Sequence, residues 1–425
     1  MTTTAESDAL VATMAELAVA AARLGHSVTT LAPPAPPPLD LVAATRAALA
    51  APVGAPPLRE LACGRDGVVI VTSDATRAVP TAGLLDAVMP ELEAAGIGPG
   101  EVTVVIAAGA HRPATQAELA RLLGPRWAGL RVLQHDARGG GLVDLGRTSR
   151  GTPVAVHPAV AHAGLRIALG VVEPHEFAGF SGGRKAIVPG VAAYETILAN
   201  HSVEHLSHPL TRPGVLAGNP VHEDMLEAVK LVGPVFIVNV ALDELLRPTA
   251  VSAGDCEAAH AVLVDEVRRT ATCRVEGRAD VVVTGPGAPL DINLYQAVKS
   301  LSAVGPLVDR RSRILLLAAC REGTGSPAML AAFSASAGPE AVLEALRVEY
   351  QVEQNAAVVL AEFLLQAGQV HACCPGLDDA VLETFGMRPA GSAAAGLAAV
   401  LDGLEPGARV LFVPRAQRLL FEQPS

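Results

Sequence analysis

The feature that most constrains the fold is an alternation of apolar strand signals with helical segments. Residues 67–74 (GVVIVTSD) and 102–111 (VTVVIAAGAH) are apolar runs that end in polar residues, and residues 81–97 between them have a helical pattern. Residues 165–175 (LRIALGVVEPH) repeat the strand signal. Strands that alternate with helices predict a parallel sheet covered by helices. The sequence therefore predicts an α/β fold.

The length of the chain predicts more than one domain. Single hydrophobic cores usually stop growing at about 250 to 300 residues, and this chain has 425. A second α/β unit is predicted to begin near residue 279, with the strand signals ADVVVTGPGAP and SRILLLAAC. The predicted divisions are an N-terminal helix with a proline-rich linker (1–40), a first α/β domain (41–275), a C-terminal α/β domain (276–400) and a closing segment (401–425), for which a return to the first domain is one option.

Composition and charge exclude several classes of protein. The net charge is −11, and lysine and arginine are scattered, so the basic surface of a nucleic-acid-binding protein is missing. No uncharged apolar run approaches the roughly 18 to 20 residues of a membrane helix. The first 25 residues have the pattern of an amphipathic helix, and we expect a cytoplasmic protein. The six cysteines form no C-x-x-C pair and are expected to be buried reduced thiols.

Polar residues follow three of the strand signals. Asp74, His111 and His175 each close an apolar run, and in open α/β sheets ligands bind beyond the carboxyl ends of the strands. Each residue also has a structural alternative, since Asp74 could cap a helix and a lone histidine is often structural. The convergence of all three at one sheet edge favours a functional site, with Arg77 available for a phosphate or carboxylate.

The stretch EPHEFAGFSGGRKAIVPG, residues 173–190, combines a histidine, glycines and a lysine. Gly179, Gly182 and Gly183 would let backbone amides approach an anion. The stretch is neither a Walker motif nor G-x-G-x-x-G. Lys185 could be a point charge for phosphate or a nucleophilic amine that bonds to a cofactor.

Three histidines follow this stretch and offer a metal site. His201 lies after a helical segment, and His205 and His208 follow at helical offsets. Neutral imidazole binds nickel, copper, zinc or iron. His201 and His205 have the spacing of H-E-x-x-H, but the glutamate of that motif is missing. A zinc cluster of the three histidines therefore remains open.

The stretch TGPGAPLDINLYQAVKSL predicts a helix that faces a ligand. Gln296 and Lys299 are three residues apart, so they share one helical face, and Tyr295 lies beside them. A solvated helix face is the structural alternative. The preceding glycine-proline loop is the usual context of a helix that begins at a ligand.

From about residue 40 to about residue 325 the chain resembles the nickel-pincer-nucleotide lactate racemases and their relatives that racemise or epimerise 2-hydroxy acids. The resemblance rests on the order and spacing of seven motifs: SDATRAVP, AAGAHRPATQAEL, TSRGTPV, EPHEFAGFSGGRKAIVPG, ETILANH, GNPVHEDMLEA and LDINLYQAVKSL. It implies two α/β domains with mainly parallel sheets and an active site in the cleft between them. It also implies that the first of these is the catalytic and cofactor-binding domain.

The resemblance also implies roles for individual residues. Lys185 is expected to bond covalently to the nickel pincer nucleotide, a pyridinium-3,5-bisthiocarboxylic acid mononucleotide, and His201 is expected to coordinate the nickel. His111 and His175 are expected to be the catalytic acid/base pair. The remaining implied contacts are Asp74, Ala75, Thr76 and Arg77 for the cofactor, and Gln296 and Lys299, with Tyr295 beside them, for the substrate.

The implied activity is racemisation or epimerisation of a small 2-hydroxy acid by reversible hydride transfer through a 2-keto acid. The implied partners are that hydroxy acid and the enzymes that make and deliver the cofactor. A zinc hydrolase using His201, His205 and His208 and a non-catalytic sensor of hydroxy acids or nucleotides are the alternatives.

Two residues depart from the family pattern, and the second of these departures leaves the identity of the hydroxy acid open. Ala110 stands where the family usually has threonine. Trp127 is the only tryptophan in the chain, whereas the lactate racemases carry a tryptophan near the substrate in the C-terminal domain. Tyr350 is the aromatic residue considered in its place.

Overall fold

The computed structural model describes residues 2–32, 36–74, 77–243 and 245–422, with side chains from residue 9 onward. The chain forms two compact units. One, the central unit, comprises Ala35–Ser202 and Leu210–Thr270. The other, the terminal unit, comprises Met1–Pro34, Val203–Pro209 and Ala271–Ser425, and so includes both ends of the chain.

Strands are numbered along the chain. They are β1 (Ser27–Thr30), β2 (Val68–Ser73), β3 (Val102–Ala107), β4 (Arg131–Gln134), β5 (Val143–Arg147), β6 (Pro153–Val156), β7 (Leu165–Val171), β8 (Pro174–His175), β9 (Gly179–Phe180), β10 (Phe236–Leu242), β11 (Pro248–Asp255), β12 (Thr272–Arg274), β13 (Val281–Gly285), β14 (Arg313–Leu317), β15 (Gln369–Cys373), β16 (Arg388–Pro389), β17 (Arg409–Pro414) and β18 (Leu420–Glu422).

The helices are α1 (Thr2–Arg23), α2 (Leu41–Ala50), α3 (Leu58–Ala62), α4 (Thr81–Ala94), α5 (Gln116–Trp127), α6 (Pro158–Ala161), α7 (Tyr194–Asn200), α8 (Val203–Leu206), α9 (Pro220–Val232), α10 (Ala258–Ala271), α11 (Leu294–Val304), α12 (Pro327–Ser334), α13 (Pro339–Val348), α14 (Asn355–Gln366), α15 (Asp379–Thr384) and α16 (Ala393–Leu401). Short 3₁₀ turns lie at Pro99–Glu101, Gly183–Ala186, Leu290–Ile292, Gly305–Leu307, Val352–Gln354 and Ala416–Arg418.

The central unit is built on a six-stranded sheet in the order β11-β10-β7-β2-β3-β4. All neighbours pair in parallel except β10 and β11. Fully buried Ile70, Val104, Ile167 and Val238 pack in one core on this sheet, and burying such a side chain contributes about 1.5 to 3 kcal/mol. The chain order reverses at β2, because β3 and β4 lie on one side of it and β7 and β10 on the other. Ligands bind at such a reversal in open α/β sheets.

The terminal unit has its own six-stranded sheet in the order β1-β17-β13-β14-β15-β16, and all its pairs are parallel. Met14, Leu17 and Ala21 of α1 are buried in the same core as Val283 and Phe412. The prediction of two α/β domains with mainly parallel sheets is confirmed. No described helix is long and apolar enough to cross a membrane.

The two ends of the chain differ from the sequence predictions. Helix α1 and strand β1 belong to the terminal unit, although the sequence predicted residues 1–40 as a separate N-terminal helix with a proline-rich linker. Strand β17 does not return to the first domain, because it lies between β1 and β13. The long-range pairing of residues 27–30 with residues 409–412 has no local sequence signal. Of the six free cysteines, Cys256, Cys320 and Cys374 are buried as expected, Cys273 and Cys373 are partly buried, and Cys63 is exposed, contrary to expectation.

Candidate functional site

The three polar strand endings of the central sheet come together as the sequence predicted. Strands β7, β2 and β3 are neighbours and parallel, so the residues that follow them leave the same edge of the sheet. Asp74 follows β2, His111 follows β3 after a short turn, and His175 follows β7. This edge is also where the strand order reverses, which is the usual ligand site of the architecture.

His111 is paired with Asp74. Its Nδ1 lies 2.9 Å from the Asp74 carboxylate, to which the N–H donates. The Asp74 side chain is buried, whereas 45% of the His111 side chain is exposed. Asp74 therefore orients an imidazole that solutes can reach. The helix-cap alternative for Asp74 is wrong, because Pro80 occupies the N-cap of α4 without any side-chain hydrogen bond.

His175 also has a carboxylate partner, but its side chain is far less exposed to solvent than that of His111. Its side chain is only 2% exposed, and a carboxylate oxygen of Glu176 lies 3.2 Å from its Nδ1. The Arg77 guanidinium lies 3.5 Å from the other ring nitrogen, Nε2, and 4.0 Å from the Glu173 carboxylate. Both histidines thus have a carboxylate at Nδ1, and the N–H groups of Phe177 and Ala178 also lie 3.5 and 3.4 Å from the Nδ1 of His175. In a neutral ring that donates from Nδ1, Nε2 carries the lone pair.

Phe177 connects the remaining candidate residues. Its ring centroid lies 4.6 Å from that of His175 and 4.8 Å from that of His201, both in edge-on contacts. The Lys185 ammonium lies 5.2 Å from the same centroid, within cation–π range. The Phe177 ring is therefore in contact with His175, His201 and Lys185.

The glycines of residues 173–190 fit the loop against the sheet. Gly183 donates its N–H to the Asn239 side chain at 2.7 Å. A Cβ added at Gly182, which has φ +76°, would meet both that side-chain oxygen and Val172 at 2.7 Å. Asn239 lies on β10 and is buried. These two glycines are therefore needed to pack the loop on the sheet, and Lys185 follows in a 3₁₀ turn.

Three basic side chains near this loop, those of Arg184, His222 and His260, are buried. Arg184 is fully buried and donates to the Ala178 carbonyl at 2.6 Å, and burial lowers its pKa to about 10. His260 donates to the Ser181 carbonyl at 2.8 Å. Burial, followed by the charge of Arg184, lowers the pKa of both His222 and His260 to about 3. The two imidazoles are therefore neutral and structural at neutral pH.

His201 caps the C-terminus of α7 and is buried. Among the described residues no three histidine, cysteine, aspartate or glutamate side chains are arranged to hold a metal ion. The zinc cluster of His201, His205 and His208, which the sequence left open as an alternative, is therefore not formed, and that alternative is wrong. Helical offsets alone suggested the cluster, but α7 ends at Asn200 and a separate helix, α8, begins at Val203.

The predicted substrate residues lie on α11 of the terminal unit. The Asn293 side chain caps this helix by accepting from the Gln296 N–H. Tyr295 donates its hydroxyl to Asn355 at 2.7 Å. The Gln296 side-chain oxygen is buried and accepts no hydrogen bond from any residue that the structure describes. Such buried polar atoms are rare, so the oxygen is suited to a ligand donor. Lys299 is half-buried on the same helix.

The structure thus brings Asp74, Arg77, His111, His175, Lys185 and His201 into one unit. Ala75 and Thr76 lie outside the described residues. Sequence reasoning missed Glu176 and Phe177, although both stand in the stretch that was singled out. The only signal for Phe177 was the scarcity of aromatic residues, 3% of the chain.

Comparison with known proteins decides the family. The lactate racemase N-terminal domain matches residues 18–213, and the lactate racemase C-terminal domain matches residues 275–416. The chain belongs to the lactate racemase family. Its two matched regions together cover most of the sequence, so the family resemblance drawn from the seven motifs is confirmed.

Lactate racemases from two bacteria are similar to this chain. The chain is 36% identical to that of Lactiplantibacillus plantarum over 277 residues, which span 64% of this chain and 65% of the relative. It is 35% identical to that of Thermoanaerobacterium thermosaccharolyticum over 325 residues, 75% of this chain and 76% of the relative.

Two solved structures are also similar. The lactate racemase apoprotein from T. thermosaccharolyticum superposes with a TM-score of 0.82 at 30% identity, covering 91% of this chain and 93% of that one. A Thermotoga maritima protein superposes with a TM-score of 0.70 at 16% identity, covering 86% and 97%, and shares the fold alone.

The donor set fits the cofactor that the family resemblance implies. A metal at His201 needs further ligands from outside the protein, because no described side chains complete a three-residue cluster. A nickel ion whose other ligands belong to a nucleotide meets that condition. Lys185, where the resemblance implies attachment of the nucleotide, and His201, where it implies coordination of the nickel, contact the same Phe177 ring.

Proposed function

We propose that the chain is a racemase or epimerase of 2-hydroxy acids that works by reversible hydride transfer through a 2-keto acid. The observation that carries the proposal is the pair of histidines at the edge of the central sheet. Each has a carboxylate at Nδ1, and the same unit holds Lys185 and His201. Two oriented bases suit a reaction whose forward and reverse halves are nearly mirror images.

The histidines are proposed to move the hydroxyl proton. With Nδ1–H held by Asp74 or Glu176, the lone pair is at Nε2, which is proposed to accept the proton of the substrate hydroxyl. At His175 the hydroxyl would take the place of the Arg77 guanidinium, which lies 3.5 Å from Nε2. The carboxylate stabilises the imidazolium that results. When the 2-keto acid is reduced on its opposite face, the second histidine, protonated at Nε2, donates its proton to the carbonyl oxygen, and the first histidine keeps the proton that it took. One histidine serves each enantiomer, so His111 and His175 exchange the roles of base and acid with the direction of turnover.

Lys185 and His201 are proposed to hold a nickel pincer nucleotide, Lys185 through a covalent bond and His201 as a ligand of the nickel. When bound, this group supplies a hydride acceptor for C2 of the substrate and later returns the hydride. Asp74, Ala75, Thr76 and Arg77 are proposed to contact it, with Arg77 offering a fork to an anionic group. The enzymes that make and deliver the nucleotide are the proposed partners.

Gln296 and Lys299 are proposed to bind the substrate carboxylate, with Tyr295 beside them. Lys299 supplies the positive charge. The Gln296 side chain is proposed to donate an amide N–H to the same carboxylate. These contacts would hold the carboxylate in place while the carbonyl group of the 2-keto acid turns to present either face. Lactate and larger hydroxy acids differ in the groups at C3 and beyond. The proposed substrate is therefore the class of 2-hydroxy acids rather than one of them.

The test is racemisation measured by chiral chromatography. Protein produced together with the cofactor-making enzymes is incubated with single enantiomers of a panel of 2-hydroxy acids, and we expect the opposite enantiomer to form from at least one of them. Lys185→Ala should abolish this. Lys230→Ala is the matched control, because Lys230 is an exposed lysine of the same unit that pairs with Glu257. Binding of hydroxy acids without any turnover by the nickel-loaded protein would support the sensor alternative instead.

A further inference from the structure

The motif GNPVHEDMLEA contains a buried carboxylate whose role the reaction does not explain. Asp224 lies on α9 and is only 1% exposed. Its carboxylate accepts three hydrogen bonds, from the Thr148 hydroxyl at 2.5 Å, the Thr152 hydroxyl at 2.8 Å and the Asn200 amide at 2.8 Å. All three donors are neutral, and within the described chain Asp224 has no ion pair.

Such an arrangement is a costly way to hold a fold together. Taking a carboxylate out of water carries a penalty of several kcal/mol, which neutral donors offset only in part. Apolar side chains at Asp224 and at its three donor positions could pack α9 against the loop at residues 148–152 without that penalty. We therefore expect Asp224 to orient its neighbours, because a carboxylate that accepts from three side chains holds each of them in one orientation.

Two contacts connect α9 to His201. Asn200, which Asp224 holds, directly precedes His201 at the end of α7, and its amide also donates to the Val221 carbonyl at 3.2 Å. Asn219, the N-cap of α9, donates to the Phe177 carbonyl at 2.9 Å. Phe177 in turn packs edge-on against the His201 ring. The first turns of α9 thus hold both the residue before His201 and the ring beside it.

We infer that Asp224 and Asn219 are positioning residues that fix the His201 imidazole for nickel coordination. The inference rests on the proposed function, because it assigns His201 to the nickel. Residues that orient a metal ligand typically change metal affinity by about 10- to 100-fold when they are replaced. Loss of Asp224 should therefore loosen the nickel and leave the Lys185 linkage intact.

Asp224→Asn is the first variant, since it keeps the size of the side chain and replaces one acceptor oxygen by a donor. Glu227→Gln is the matched control. Glu227 lies on the same helix and binds the same loop, through the Ser149 N–H and hydroxyl, yet has no bond to Asn200. Asn200→Ala is the second variant, because it breaks the link and leaves Asp224 bonded to both threonine hydroxyls.

The measurement is the rate at which holoenzyme loses nickel to a chromogenic chelator, far below the unfolding temperature of each variant. Peptide mass spectrometry of Lys185 is run on the same samples. We expect Asp224→Asn and Asn200→Ala to lose nickel about 10- to 100-fold faster than the parent protein. Glu227→Gln should stay within about twofold of it, because exposed hydrogen bonds of this kind contribute little. The added mass on Lys185 should be unchanged in all of them.

Several results would overturn the inference. Nickel loss at the parent rate in both Asp224→Asn and Asn200→Ala would show that the network does not act on His201. Equal acceleration in Glu227→Gln would show that loosening the loop suffices and that the role is structural. If Asp224→Asn does not fold, the comparison of Asn200→Ala with Glu227→Gln decides. Parent protein that carries neither nickel nor a modified Lys185 would instead contradict the proposed function.

Discussion

The two six-stranded sheets have related architecture but different chemistry at their carboxyl ends. At the edge of the central sheet, β2, β3 and β7 lead to Asp74, His111 and His175. His111 pairs with the Asp74 carboxylate, and His175 pairs with the Glu176 carboxylate. In the terminal unit, β14 and β15 lead to Cys320 and Cys374. Their mutual hydrogen bond, then burial, raises the pKa of the Cys374 thiol and keeps it protonated.

The difference shows that a parallel sheet does not by itself make a reactive site. The central sheet places acid–base groups at its edge. In the terminal unit the loop at residues 320–324 supports α11 and the turn before it. The backbone N–H of Cys320 donates to the Asp291 carbonyl, and the backbone N–H of Tyr295 donates to the Thr324 carbonyl. Substitutions at the central edge should therefore lower kcat, and substitutions on α11 should raise KM.

Loss of either base should have the largest effect. His111→Asn and His175→Asn are each expected to lower kcat by about 10²- to 10⁴-fold, because the hydroxyl proton then has no oriented acceptor. Initial rates from each enantiomer of one accepted hydroxy acid measure this by chiral chromatography. His162→Asn, at an exposed histidine of the same unit, is the control. Retention of a tenth of parental kcat in either variant would remove that histidine from the mechanism.

Loss of a carboxylate partner should have an intermediate effect. Asp74→Asn and Glu176→Gln are expected to lower kcat by about 10- to 100-fold, since an amide neither fixes the Nδ1–H tautomer nor stabilises the imidazolium. Glu118→Gln is the control. Glu118 pairs with Arg112 beside His111 but has no hydrogen bond to His111 or His175, and the hydrogen bond from Arg112 lowers the pKa of Glu118 to about 2. A fall in kcat for Glu118→Gln as large as for Asp74→Asn would point to general disturbance of the loop.

Loss of the proposed carboxylate anchor should act on binding. Lys299→Ala is expected to raise KM about 10-fold or more and to change kcat less, because a contact made equally in ground and transition states affects KM alone. Steady-state rates over a range of hydroxy acid concentrations separate the two constants, with Lys230→Ala as control. A fall in kcat at unchanged KM would place Lys299 among the groups that act only in the transition state.

Acid should destabilise the central unit through its buried histidines. The pKa of His260 is about 3 in the folded protein, below the value of about 6.5 for an exposed histidine. The unfolded chain therefore binds more protons between these values, and the free energy of unfolding falls as pH falls through that window. By pH 5 the loss is on the order of 2 kcal/mol for this one histidine.

Denaturant unfolding of the apoprotein at pH 7 and at pH 5 measures this effect. His260→Gln should reduce the difference between the two pH values, because glutamine does not titrate. His162→Gln, at an exposed position, should leave the difference unchanged. An equal pH dependence in the parent and in His260→Gln would contradict the assignment of a neutral buried His260.

The sequence predicted what depends on local pattern. The apolar runs predicted β2, β3 and β7, and the topology of parallel sheets then placed Asp74, His111 and His175 at one edge. Gln296 and Lys299 fell on one helix for the same reason. In each case a periodicity or a strand end specified the position, and no knowledge of distant partners was needed.

What the sequence did not predict depends on contacts between distant segments. Asp224 is bound by Thr148, which lies 76 positions earlier, and three neutral donors around a carboxylate leave no spacing pattern. Glu176 directly follows His175, but only the turn there returns its carboxylate to Nδ1. Strand β1 was missed because its parallel partner, β17, lies at the other end of the chain.

The most direct test of the central claim is peptide mass spectrometry of Lys185, combined with nickel analysis of the same protein. The chain is produced together with the cofactor-making enzymes and is shown to racemise a 2-hydroxy acid before it is digested. We expect one nickel per chain and an added mass on the peptide that contains Lys185, with both absent in Lys185→Ala. Racemising protein with an unmodified Lys185 and no nickel would contradict the account.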